Sequence, residues 1–247
     1  ISLTAGKTSA FEARGGLVDI LAGTSDEGSG GAINVIAGHN NIFKVKGGDV
    51  GIRSGDGESG GEISIISGSG IESNGGHVRV KAGLGGPKTT GGTMLVQGGD
   101  TVSEQMAGAT TVMGGNGPMG GDTFFRGGVG SADNGGHVEL ASGVSAYSSS
   151  GNLNILTPDS GKQGVSGTIS VKTGFSEGAA SGTVSITTGE SKMSGGDINV
   201  VVGTGSGDRF GGDVNINAGR TNAGGAVGGS VSVSAGDGAM GGDAIFQ

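Results

Sequence analysis

One eight-residue pattern recurs from end to end of this chain and limits what it can become. In 212–219, Gly-Asp-Val-Asn-Ile-Asn-Ala-Gly, the apolar residues Val214, Ile216 and Ala218 alternate with Asp213, Asn215 and Asn217 between two glycines. Alternation of period two suits a half-buried strand, because successive side chains leave opposite faces. Written G-x-apolar-x-apolar-x-small-G, the octet starts at Gly16, Gly31, Gly48, Gly61, Gly76, Gly92, Gly108, Gly121, Gly136, Gly151, Gly167, Gly182, Gly196, Gly212, Gly229 and Gly242. A truncated copy at 1–6 precedes these and the last copy, 242–247, stops short, which makes 17 segments.

The pattern is strict where packing would demand it. The fifth residue is apolar in every copy, from Leu3 to Phe246. The seventh is small, Val202 being the largest, and the closing glycine is replaced once, by Pro158. The opening glycine follows another glycine in 12 of 16 copies. Glycine makes up 62 of 247 residues, a fraction that signals disorder when it has no period. Here it has one, and such glycines read as turn and close-approach positions rather than phosphate cradles. The connectors are rich in Gly, Ser, Asn, Asp and Thr, no stretch reads as helix, and no domain boundary is visible across 1–247. The chain opens at Ile1 in mid-pattern, which reads as a segment of a longer chain or a processed protomer.

Successive octets start 13 to 17 residues apart. Taken in pairs from the first segment, two steps cover 29 to 32 residues; taken one step out of phase, they cover 28 to 33. The tighter in-phase pairing predicts an all-β repeat β-solenoid: two facing parallel sheets, about 30 residues or two octets per coil, and about eight coils. In that arrangement 212–219 hydrogen-bonds 182–189 and 242–247, and the small seventh residue thins the core toward one edge.

Composition removes several function classes. A net charge of −8, with 14 Lys and Arg scattered along the chain, argues against nucleic acid. No apolar run is long enough for a membrane-spanning helix, so no membrane insertion is expected. The absence of cysteine excludes disulfides, thiolate metal sites and cysteine nucleophiles.

Candidate chemistry is sparse. Gly6-Lys7-Thr8 has the end of a P-loop without its earlier glycine or following helix. His39, His77 and His137 read as solvent-facing, and the last two stand too far apart in the solenoid to share a metal ion. Acidic residues follow several opening glycines, as at Asp49, Glu62, Asp122, Asp197, Asp213 and Asp243, but without the nonapeptide spacing of calcium-binding β-rolls. No catalytic, metal or cofactor-binding residue is therefore assigned. The outward positions of five consecutive even-numbered segments instead carry Ile36, Ile66, Leu95, Phe124 and Leu156, a stripe that suggests a lateral protein–protein interface.

The Gly-Gly-x-Val-x-Ile-x-Ala-Gly octet with Ser/Gly-rich connectors resembles the glycine-rich β-strand-repeat proteins of cell surfaces and extracellular fibres, including adhesin-like solenoids. The resemblance covers the whole chain and implies a structural or adhesive role at an extracellular or cell-surface location. The expectation is a non-catalytic filament segment that assembles with itself, end to end or laterally, or with other surface proteins, and needs no cofactor. The alternatives are a solenoid that binds calcium, glycan or ice, and a carbohydrate-active β-helix enzyme.

Overall fold

The computed structural model describes residues 1–42, 44–102, 105–207 and 210–246. None of them lies in a helix or a strand. This overturns the expected fold: the described residues form no all-β solenoid, no facing parallel sheets and no 30-residue coils. The chain divides into two units, Ile1–Phe125 and Arg126–Gln247.

The physical reason lies in where the backbone bonds go. A sheet needs a ladder of N–H to C=O bonds between neighbouring strands. Between described residues, every backbone bond instead closes a connector or a turn inside one, and joins residues no more than ten apart. The N–H of an opening glycine donates to the carbonyl of the closing glycine before it: Gly16 to Gly6 at 2.8 Å, Gly31 to Gly23 at 2.8 Å, Gly48 to Gly38 at 2.9 Å, and so on through Gly242 to Gly236 at 3.0 Å. Twelve connectors are clamped in this way. Each clamp is a single rung, and no second rung follows it into the octets. Period-two alternation says which side chains would share a face; it supplies no partner for the backbone.

Burial tells the same story. The accessible surface is 25285 Å², against roughly 9,700 Å² for a compact protein of this mass and roughly 34,000 Å² for its unfolded chain. No described residue is buried. What partial burial exists gathers at the seventh residues, chiefly those of the first unit. The seventh residues Ala5, Ala22, Ala37, Ser54, Ser67, Ala82, Gly98, Gly114 and Thr157 are half-buried, with only Thr8, Gly85 and Ser176 besides. The small seventh residue therefore does not thin a core. It is the surface on which the next opening glycine sits: a side chain placed on Gly16 would meet the Ala5 methyl at 3.1 Å, and one on Gly31 the Ala22 methyl at 3.2 Å.

Connector length selects connector conformation. The ten-residue connectors begin at Gly6, Gly38 and Gly219 and share one design. Thr8, Asn40 and Thr221 each accept a hydrogen bond from the backbone two residues on, at 3.2, 2.7 and 3.3 Å. A β-turn then closes from Ala13 to Ala10, from Val45 to Ile42 and from Ala226 to Ala223. Its third residue has positive φ: Glu12 at 58°, Lys44 at 70° and Gly225 at 81°. Side-chain acceptors of this kind hold turns at little entropic cost.

The six-residue connectors read Gly-Asp/Asn-Gly-x-x-Gly-Gly, at 55–61, 115–121 and 236–242. Glycine suits their third residue, since a Cβ on Gly57, Gly117 or Gly238 would lie 2.9, 3.1 or 3.0 Å from the carbonyl oxygen two residues ahead, a tight contact. These connector families repeat without regard to the two units, so local sequence alone sets them.

Candidate functional site

The candidate site is an array of exposed apolar side chains, and it begins with the octets themselves. The large apolar residues at the third position of complete octets are 48 to 58% exposed, and those at the fifth position 60 to 76%. An isolated segment gives this result. The third residue is shaded by the neighbouring clamp, and the fifth stands away from it. Alternation places these side chains on one side of each segment without covering them.

The five residues of the expected interface are also uncovered. Ile36, Ile66, Leu95, Phe124 and Leu156 are 68 to 86% exposed. Each stands on its own segment, four in Ile1–Phe125 and Leu156 in Arg126–Gln247. Because the fifth-position residues are about as exposed, accessibility does not set the stripe apart from the rest of the apolar surface. The distinction between inward and outward positions depended on facing sheets, and it lapses with them.

A second set of apolar residues lies within the connectors. Phe11, Ile71, Leu84, Val102, Met106, Met119, Val129, Val144, Tyr147, Val165, Phe175, Met193, Phe210, Val227 and Met240 are 91 to 109% exposed. They occupy 13 of the 16 connectors. Reading the connectors as polar turns overlooks them. The signal was present as one or two large apolar residues in most Gly/Ser-rich loops, at variable offset, which no fixed-period search collects. Such a residue costs solubility and contributes nothing to the clamp beside it.

Two ion pairs join charged residues three apart. Lys46 donates to Asp49 at 2.8 Å and Arg53 to Asp56 at 2.8 Å, both across the end of an octet and both strongly exposed. Exposed pairs of this kind contribute about 0 to 1 kcal/mol. His39 lies in a connector, and His77 and His137 follow opening glycines. Among the described residues no group of three His, Cys, Asp or Glu could hold a metal ion, and no cavity is present. Nor is any helix among them long and apolar enough to cross a membrane, in keeping with the expectation that no helix inserts.

What the described residues present is repeated, shallow, apolar surface. Compared with family models, curated proteins and solved structures, the chain finds no match.

Proposed function

We propose that the chain is a non-catalytic structural or adhesive repeat segment of an extracellular or surface filament, assembling end to end or laterally with copies of itself or with other surface proteins. One observation carries this reading. Apolar side chains are exposed along the octets and again within the connectors, through both units. Burying one Val, Leu, Ile, Phe or Met side chain contributes about 1.5 to 3 kcal/mol. A surface that repeats such groups gains from contacts made many times over, and multivalency multiplies weak individual contacts. Clamped connectors of a few fixed designs supply the regular spacing that a repetitive contact requires.

Sedimentation velocity and electron microscopy of the chain over a range of concentrations test this. Concentration-dependent assembly into rods or filaments is expected. Replacing Ile66 by Asp and Phe124 by Asp should shift assembly to at least tenfold higher concentration, since a charge in an apolar contact costs more than the contact gains. A chain that stays monomeric throughout, or assembly unaltered in the double variant, would overturn the reading.

A further inference from the structure

The 16 connectors do not all close. Twelve carry the clamp between opening and closing residues; those at 158–167, 174–182, 189–196 and 203–212 do not. Connector length does not explain the difference. The open connectors span 9, 8, 7 and 9 residues, inside the range of 6 to 10 found among the clamped ones. Nor does Pro158 explain its own case, because proline keeps the carbonyl that the clamp uses.

The seventh residue of the preceding octet does separate them. In front of every clamped connector it is Gly, Ala or Ser; in front of the four open ones it is Thr157, Thr173, Thr188 and Val202. The contacts show how this acts. Where it is Ala or Ser, the opening glycine rests against the Cβ and also reaches the backbone of the closing glycine. Where it is Gly, the backbones come closer still: a Cβ on Gly98, Gly114 or Gly127 would overlap the carbonyl of Gly108, Gly121 or Gly136. Where it is β-branched, a γ-methyl faces the opening glycine: a Cβ placed on that glycine would lie 3.0 Å from it for Thr157 and Gly167, 3.3 Å for Thr173 and Gly182, 3.6 Å for Thr188 and Gly196, and 2.8 Å for Val202 and Gly212. The closing residue's backbone is then out of reach. The γ-methyl cannot swing clear at will, since branching at Cβ confines χ1. Thr157 retains a substitute, its hydroxyl donating to the Gly167 carbonyl at 3.2 Å; the other three connectors have none.

We infer that the seventh residue is a steric setting for each clamp, and that β-branched residues at four consecutive seventh positions make the described residues of 157–212 a built-in compliant segment, which opens and lengthens before the clamped parts of the chain. A clamped connector holds its two ends one hydrogen bond apart. An open one of eight residues can reach about 27 Å when drawn out. The inference stands on the clamps alone and is independent of the proposed function.

Residue-resolved amide hydrogen exchange on the full chain tests it. The opening-glycine amides of Gly167, Gly182, Gly196 and Gly212 should exchange about fivefold faster than those of Gly151 and Gly229, the ratio one ordinary net hydrogen bond sets. In a Thr173→Ala, Thr188→Ala, Val202→Ala variant, Gly182, Gly196 and Gly212 should slow to the clamped rate. Conversely, Ala22→Val should release Gly31 alone, while Ala22→Ser, a residue found at clamped positions, should leave it protected. Unchanged exchange in the triple variant, protection of Gly31 in Ala22→Val, or its loss in Ala22→Ser would each overturn the inference.

Discussion

The units Ile1–Phe125 and Arg126–Gln247 are built from the same octet, yet they hold together differently. In the first, all eight connectors are clamped and all eight seventh residues, from Ala5 to Gly114, are half-buried. In the second, four of eight connectors are clamped and Thr157 is the only half-buried seventh residue. Charge does not distinguish them, since each carries a net −4. Nor does the alternation, which is equally regular in both. The difference in clamping comes down to branching at one position of the repeat; the difference in burial does not, since Gly127, Ser142, Ala218 and Ala235 precede clamped connectors and are exposed. A small residue lets two backbones touch, and a γ-methyl takes the space in which they would. In a chain without a core, this close approach is the main tertiary contact available, so a change of one carbon decides whether a connector is held.

Several outcomes would break or sharpen that comparison. The largest effect is expected where the first unit is tightest. Gly114→Val puts a β-branched side chain where even a Cβ would overlap the carbonyl of Gly121, and an overlap of this kind costs about 1 to 3 kcal/mol. Exchange of the Gly121 amide should quicken by about tenfold or more, and an unaltered rate would mean that the clamp does not depend on the close approach. A smaller and deliberately matched pair is Gly57→Ala in the first unit and Gly238→Ala in the second. Both meet the same carbonyl contact in the six-residue connector, so each should destabilise its clamp by about 1 kcal/mol. Unequal effects, read from the amides of Gly61 and Gly242, would show that the units differ by more than their seventh residues.

Brief digestion with trypsin offers a comparable test without mutation. Lys162 and Lys192 lie in open connectors, whereas Lys7 and Lys88 lie in clamped ones. Early fragments should end at the first pair, with cleavage about fivefold faster, because cleavage follows the population of opened chain. Equal rates at the four lysines would argue against a compliant segment. The smallest effect belongs to the first unit's surface pairs. Lys46→Ala or Asp49→Ala should change the exchange of the Gly48 amide by no more than about twofold, and less at high salt. A larger change would mean that charge, and not the seventh residue alone, holds the first unit's clamps.

Much of the local structure was legible before any coordinates. The paired glycines mark where two backbones approach, as their close contacts bear out. The requirement for a small seventh residue was also visible, although its purpose was misread as the taper of a core. The apolar connector residues, such as Phe11, Met119 and Phe210, were in plain sight but lacked a fixed offset. The interface residues Ile36, Ile66, Leu95, Phe124 and Leu156 were chosen by a geometry of facing sheets that the described residues do not adopt.

The sequence by itself determined the recurrence, the connector designs and the sites where only glycine fits, because these depend on residues at most ten apart and on the volume of single side chains. Whether octets pair with one another is a different matter. Pairing depends on whether ladders between distant segments outweigh the entropy of fixing so many glycines, about 1 to 2 kcal/mol per residue. Only the tertiary structure decided that balance: the chain closes its connectors one rung at a time and leaves its apolar faces exposed.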